Sequence, residues 1–266
     1  MIAILQWTTL AVCALVAIFR IPSALRGENR SIFGIFALST FAIMLSINAI
    51  YLPVDGWLGS ENYANLILRF LIYGVVLLSG YKIARGFDAQ RSVWLVVGPV
   101  GLTVLALVVV ATVVPFFLAN TSGSSTGLGT LTDQSSNNVD LIKFYTVAGR
   151  FYPSYVAACL LPATIRTMRS GLPRLPRSGA AVLAVGAGAM IVLSLSDLLP
   201  RHLSFLQYFI SSTAILGLVL GLTLMWLSRV LAAKRLDRSQ PVPCIDHSVR
   251  SAAGDPPPHA KASTEP

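Results

Sequence analysis

The stretch ENYANLILRFLIYGVVLLSGYKIARG (residues 61–86) is almost wholly apolar between Asn62 and Lys82, yet it contains Arg69. A run of about 20 mostly apolar residues is long enough to cross a bilayer as a helix. A guanidinium near the bilayer centre costs about 2.5–3.5 kcal/mol on the insertion scale, and less nearer the interface, so a partner or water must offset it. The stretch therefore predicts a membrane-spanning helix that carries an unusual charged group.

The rest of the chain has the same character. Of its 266 residues, 55% are hydrophobic and only 12% are charged, whereas soluble domains carry about 25% charged residues. Runs this long and continuous indicate helices, because strands of membrane barrels alternate in hydropathy over about 10 residues. The sequence therefore predicts an all-α polytopic membrane protein with seven spans, approximately residues 2–19, 32–52, 62–82, 93–118, 144–165, 180–199 and 203–228.

The positions of Lys and Arg predict the orientation, because loops that carry them stay cytoplasmic. With the N-terminus outside, Arg201 is the one basic residue in an external loop. Sixteen of the twenty basic residues are then cytoplasmic: Arg20, Arg26, Arg30, Lys82, Arg85, Arg91, Arg166, Arg169, Arg174, Arg177, Arg229, Lys234, Arg235, Arg238, Arg250 and Lys261. This pattern predicts a multi-pass membrane protein with an external N-terminus and a cytoplasmic C-terminus.

The ends of the predicted membrane domain are set by composition. Residues 1–231 form the predicted seven-helix domain, and residues 232–266 are polar and Pro-rich, which predicts a disordered cytoplasmic tail. The cysteines Cys13, Cys159 and Cys244 are far apart and have no CxxC spacing, so we expect free thiols. No metal-ligand spacing is present, and no metal site is predicted.

Polar residues inside the predicted spans lie at one depth. Counted from the ends of their spans, Arg69 lies about 10 Å, Arg150 about 6 Å and Asp197 about 3 Å below the outer edge, at 1.5 Å per residue. Asn48 lies near the outer end of the second span. The costly side chains therefore share a layer in the outer leaflet, while the cytoplasmic half of the membrane is almost entirely apolar.

Two interpretations of this layer remain open. In the structural one, Asp197 pairs with one arginine while the other extends its side chain to lipid phosphate. In the functional one, an outward-open cleft binds a small anionic or zwitterionic molecule. The candidate ligand-binding residues, several of which share one face of a helix, are Asn48, Asn65, Arg69, Tyr73, Arg150 and Asp197.

Small residues predict where helices pack closely. Gly217 and Gly221 are one turn apart in the seventh span, and Gly186 lies in the AVGAGA segment of the sixth. Small residues at this spacing let neighbouring helices approach, so the last two spans are expected to pack together. The Gly98-Pro99 pair is expected to bend the fourth span.

Several chemistries lack a necessary group. The last predicted span contains no lysine for a retinal Schiff base, and the chain has neither GxxxxGK[ST] nor HExxH. Asp197 is the one carboxylate within the predicted spans, whereas aspartyl catalysis needs two. We therefore expect a protein that is not an enzyme, has no cofactor and binds no nucleic acid.

Three segments carry a family resemblance: RIPSALRG (residues 20–27), GSENYANLILRFLIYG (residues 59–74) and FDAQRS (residues 87–92). Together with the seven-span layout, they resemble a group of actinobacterial multi-spanning membrane proteins of unknown function, some of which are labelled as transporters. The resemblance implies a bacterial cytoplasmic membrane as the location of this multi-pass protein, and it implies no substrate and no catalytic residues. The expected function is transport or binding of a small molecule at the outer polar layer. The alternative is a membrane sensor or scaffold whose basic loops and tail contact a cytoplasmic protein.

Overall fold

The computed structural model describes residues 2–27, 30–119, 136–171 and 173–196, with single positions between 210 and 228. These residues are helical and include no strand, so the all-α class is confirmed for this part of the chain. The chain divides at Met225, and the fold below concerns the unit that ends there. Among the described residues up to Ser196, the helices are α1 (Ile2–Leu25), α2 (Arg30–Ser46), α3 (Asn48–Trp57), α4 (Tyr63–Gly86), α5 (Gln90–Val97), α6 (Pro99–Leu118), α7 (Ser136–Arg169) and α8 (Arg174–Ser196).

Three helical segments of the described chain are long and apolar enough to cross a membrane: Tyr63–Gly86, Gln90–Leu118 and Arg174–Leu195. A fourth results if the bent pair α2 and α3 is counted as one span. α6 exposes a row of large apolar side chains, among them Leu107 and Phe117, which are 64% and 61% exposed. Apolar surface of this extent is typical of a helix that faces lipid.

Helix α7 is the centre of the bundle, because it packs against α4, α5, α6 and α8. It carries Lys143, Arg150 and several hydroxyl groups, and it is not among the segments apolar enough to be counted as spans. A helix surrounded by protein can carry polar residues that lipid would not accept. Its 34 residues extend beyond the predicted span 144–165 at both ends, because a helix does not have to stop where apolar sequence stops.

The predicted second span, residues 32–52, is bent within its length. α2 ends at Ser46, Ile47 has an extended backbone (φ −87°, ψ 119°), and α3 leaves at an angle of 89°. α3 contains Pro53, Asp55 and Gly56, which suit a lipid-facing helix poorly. The bend instead brings the Asp55 carboxylate to the start of α4, where it accepts backbone hydrogen bonds.

The predicted break in the fourth span is confirmed. α5 ends at Val97 and α6 begins at Pro99, with Gly98 extended between them (φ −74°, ψ −179°). The proline ring disfavours helical backbone in the preceding residue, and its missing N–H is tolerated at the first position of a new helix. Together, the two helices still form one 29-residue segment that is long and apolar enough to cross a membrane.

The helix of the sixth predicted span, α8, begins earlier than predicted. α8 starts at Arg174 rather than at residue 180, so its first turns carry Arg174 and Arg177. Arg177 Nε donates a hydrogen bond to the Met168 carbonyl oxygen of α7 (3.1 Å), which ties down the turn between the two helices. The predicted tail, residues 232–266, lies outside the described residues, as does most of the predicted seventh span.

Candidate ligand-binding site

Asn62 and three of the predicted ligand-binding residues, Asn65, Arg69 and Tyr73, are spaced to share one face of α4, and this face lies against protein. These four residues are called the polar stripe below. Asn62 is fully buried at the start of α4, and Asn65 and Tyr73 are 7% and 2% exposed. Arg69, between them on the same face, is half-buried. Because α4 packs on α2, α6 and α7, each member of the stripe has a neighbour on another helix.

Arg69 lies over an aromatic ring of α7. Its guanidinium carbon is 5.1 Å from the centroid of the Tyr145 ring, a cation–π contact worth about 0.5–2 kcal/mol. Gly149, one turn further along α7, leaves the space for this side chain, since a Cβ there would lie 2.7 Å from Arg69 Cζ. Among the described residues, no carboxylate forms an ion pair with Arg69.

The tyrosine under Arg69 also binds the stripe. The Tyr145 hydroxyl donates to Asn65 Oδ1 (2.9 Å), and both side chains are buried. Tyr145 therefore joins two successive turns of α4 to α7, through its hydroxyl at Asn65 and through its ring at Arg69.

Deeper in the bundle, Tyr73 hydrogen-bonds the Thr112 hydroxyl of α6 (2.8 Å). The Thr112 hydroxyl also donates to the Val108 carbonyl oxygen (2.8 Å). The ring of Tyr152 packs edge-on against Tyr73, with centroids 5.7 Å apart. The Tyr152 hydroxyl is buried and has no hydrogen-bond partner among the described residues.

At the start of α4, a buried carboxylate satisfies the helix end. Asp55 accepts hydrogen bonds from the backbone N–H of Asn62 and of Ala64, each at 3.1 Å. A carboxylate at this position complements the helix dipole. The Tyr51 hydroxyl donates to Asn62 Oδ1 (2.9 Å), so α3 holds the first turn of α4 at two places.

The structure describes two of the other three predicted residues, Asn48 and Arg150. Asn48 is exposed at the first turn of α3. Arg150 is half-buried on α7 and its carbonyl oxygen accepts a hydrogen bond from Ser154 (3.1 Å). Ser154 in turn hydrogen-bonds Ser194 of α8. Asp197 lies outside the described residues, so the structure brings together Asn65, Arg69 and Tyr73 of the six.

Four members of the cluster were missed in the sequence: Tyr51, Asp55, Thr112 and Tyr145. The first two were assigned to a span end and a loop, where the bend after α2 was not anticipated. Tyr145, Gly149 and Tyr152 are spaced by four and three residues along α7, which places them on one face. An aromatic residue on the same helix face as a glycine was the available signal for a partner of Arg69.

The predicted packing glycines lie at one contact. A Cβ on Gly217 would lie 2.6 Å from Gly186 Cα, and a Cβ on Gly221 would lie 2.7 Å from the Leu183 backbone nitrogen. The backbone at Gly217 and Gly221 therefore lies directly against α8.

A cavity of about 790 Å³ lies between the start of α5 and the second half of α7. It is lined by apolar side chains and by six polar or charged residues: Asp88, Gln90, Arg91, Ser92, Tyr155 and Arg166. Three smaller cavities of about 320–340 Å³ have mainly apolar walls. None of these four cavities borders Asn65, Arg69 or Tyr73.

Among the described residues, no group of three His, Cys, Asp or Glu side chains is arranged to hold a metal ion. Cys13 and Cys159 are free thiols, and Cys244 lies outside this part of the chain. No protein-family model, curated protein or solved structure matches the chain. Its resemblance to actinobacterial membrane proteins therefore stays a prediction.

Proposed function

We propose that this chain is a seven-span protein of a bacterial cytoplasmic membrane that binds a small anionic or zwitterionic ligand through Arg69. The N-terminus is external and the protein is not an enzyme. Three or four described segments suit a membrane, and the polar faces of α4 and α7 meet inside the bundle. Ligand binding at this layer serves transport or sensing.

One observation supports this proposal above the others. The Arg69 guanidinium is half-buried, lies on the Tyr145 ring, and has no carboxylate partner among the described residues. A cation–π contact offsets part of the cost of placing the charge there. An anion at Arg69 would supply the rest, because hydrogen bonds from a guanidinium to an anionic acceptor are about twice as strong as neutral ones.

We infer that a ligand approaches Arg69 from the start of α4, which is the end of this helix predicted to be external. Asn65 lies one turn nearer that end and its side chain is held by the Tyr145 hydroxyl. A ligand that enters from outside meets this hydrogen bond first, and its carboxylate or phosphate oxygen would accept the hydrogen bond from the Tyr145 hydroxyl in place of Asn65 Oδ1. Tyr145 thus contacts both residues of the proposed site, Asn65 through its hydroxyl and the Arg69 guanidinium through its ring.

The test measures the charge preference of thiol labelling. Asn65→Cys is made in a chain with Cys13, Cys159 and Cys244 replaced by Ser, and intact cells receive anionic or cationic methanethiosulfonate reagents. We expect the anionic reagent to react several-fold faster, and the preference to disappear with Arg69→Gln. Trp57→Cys, at a position 95% exposed at the end of α3, is the accessible control.

Two results contradict the proposal. One is labelling of Trp57→Cys without any labelling of Asn65→Cys, which would mean that the layer is closed to solutes. The other is a charge preference at Asn65→Cys that is equal with Arg69 and with Gln at position 69, which would remove the arginine from the site.

A sensor or scaffold is the second candidate, supported by the basic turn between α7 and α8. Arg166, Arg169, Arg174 and Arg177 are exposed there, and the bond from Arg177 to Met168 orders the turn. Deleting residues 232–266 separates the candidates. If the protein is a scaffold that acts through its tail, the deletion should abolish cross-linking to a partner protein in cells. If it binds a ligand at Arg69, the Arg69-dependent thiol labelling should remain after the deletion.

A further inference from the structure

The cavity between α5 and α7 borders none of the residues of the polar stripe. Its 790 Å³ lies within the usual range for small-ligand sites. Arg91 comes from the first turn of α5 and Arg166 from the last turn of α7, so both belong to the same end of the bundle. This is the end that the distribution of Lys and Arg predicts to be cytoplasmic.

The walls of the cavity offer two arginines as cationic groups, beside the Gln90 amide. The Ser92 hydroxyl donates to the Cys159 carbonyl oxygen and the Tyr155 hydroxyl to the Leu95 carbonyl oxygen, each at 2.8 Å. Both hydroxyls are thus occupied by bonds between α5 and α7. Asp88 also lines the cavity, but among the described residues it forms no ion pair with Arg91 or Arg166.

Charge and apolar surface are separated along the cavity. On α7, Arg166 is eight residues from Ala158, a distance of about 12 Å along the helix, with Pro162 between them. On α5, Arg91 is one turn from Leu95. All five residues line the cavity. The arginines therefore mark one end, and apolar side chains continue from them toward the middle of the bundle.

We propose that this cavity binds an anionic phospholipid, with its phosphate between Arg91 and Arg166 and an acyl chain along Leu95, Ala158 and Pro162. Basic pockets between helices on the cytoplasmic side bind anionic lipid headgroups. A free phosphate would contact the arginines without using the apolar wall. A neutral lipid would contact the apolar wall but leave a net positive charge in the cavity, since Asp88 is one carboxylate against the two guanidinium groups of Arg91 and Arg166.

The experiment compares phosphatidylglycerol with phosphatidylcholine of the same chain length, on the purified full-length protein in neutral detergent. Native mass spectrometry counts bound lipids, and inorganic phosphate and glycerol phosphate are separate arms. We expect retention of phosphatidylglycerol over phosphatidylcholine. The double variant R91Q/R166Q should weaken it by about 25-fold, fivefold for each arginine.

Arg169→Gln is the matched control, since Arg169 is an exposed arginine of the last turn of α7 and does not line the cavity. It should retain the lipid. Ala158→Phe tests the apolar wall and should release the lipid with both arginines intact, whereas Val192→Phe, at an exposed position of α8, should not. Thermal unfolding of each variant without lipid separates loss of binding from loss of fold.

Cys159 provides an independent readout, because it lines the cavity. In a Cys13→Ser, Cys244→Ser background, phosphatidylglycerol should slow its modification by N-ethylmaleimide, and R91Q/R166Q should abolish that protection. If the thiol does not react in detergent alone, the mass-spectrometric comparison decides.

Three outcomes would overturn the proposal. Equal retention of phosphatidylcholine would make the site purely apolar. Competition by inorganic phosphate at the same concentration as the lipid would make it a site for free anions. Equal loss in Arg169→Gln and in R91Q/R166Q would make the effect one of general surface charge.

Discussion

Arg69 of α4 lies against the ring of Tyr145 of α7 in the interior of the bundle. The guanidinium lies 5.1 Å from the ring centroid, and the hydroxyl of the same tyrosine holds Asn65 at 2.9 Å. One aromatic side chain thus serves a cation through its face and an amide through its polar end. Polar contacts therefore join α4 to α7 inside the bundle, where apolar packing alone would be expected between membrane helices.

Tyr145→Phe should destabilise the protein, while Tyr152→Phe should not. Both tyrosines are buried on α7, but the Tyr145 hydroxyl bonds Asn65 and that of Tyr152 has no partner among the described residues. Removing one partner leaves a buried acceptor unsatisfied, at about 1–3 kcal/mol. We expect a loss of this size for Tyr145→Phe and no loss, or a gain, for Tyr152→Phe.

Unfolding in mixed micelles by sodium dodecyl sulfate measures both variants against the parent protein. Each substitution removes one oxygen atom and keeps the ring, so the two are matched in volume and in helix. Equal losses would show that the bond to Asn65 contributes nothing specific.

Asp55→Asn should loosen the start of α4. The carboxylate accepts from two backbone N–H groups of that turn and complements the helix dipole, and loss of such a cap costs about 0.5–2 kcal/mol. Hydrogen exchange at Ala64 and the next turn should accelerate. Asp88→Asn, an exposed carboxylate in the turn between α4 and α5, is the control and should leave exchange at the start of α4 unchanged.

Gly217→Ala should destabilise the contact with α8. Its Cβ would meet backbone atoms of Gly186 at 2.6–2.8 Å, and a helix backbone cannot move aside as a flexible side chain can. Overpacking of this kind costs about 1–3 kcal/mol. Gly188→Ala is the matched control, because nothing lies within 4 Å of its Cβ position, and helix propensity favours alanine by about 1 kcal/mol. Melting temperatures that fall equally would contradict the assignment.

Reporter fusions test the seven-span orientation. Alkaline phosphatase fused after residue 60 should be active, because that loop is predicted to be external, whereas fusion after residue 231 should be inactive. Green fluorescent protein should give the opposite pattern, since it becomes fluorescent in the cytoplasm. Activity of both phosphatase fusions would contradict the five spans predicted between residues 60 and 231.

How far the sequence predicts this structure depends on whether a feature is local. The apolar run of α4, its stripe of Asn65, Arg69 and Tyr73, and the break at Pro99 follow from periodicity and from the chemistry of proline. The partner of Arg69 does not, because Tyr145 is 76 residues further along the chain. The bend at Ile47 has no proline or glycine at the break, and it is supported by Asp55 binding backbone groups that have no sequence signature.

Because of the bend between α2 and α3, the position of α3 should depend on the thickness of the bilayer. The 17 residues of α2 extend about 25 Å at 1.5 Å per residue, which is about 5 Å less than a typical hydrocarbon core. A thicker bilayer would draw the oblique α3 inward to cover the mismatch, and α3 carries the carboxylate bonded to the first turn of α4. Lipids of different chain length should therefore alter hydrogen exchange at Ala64, with no solute present.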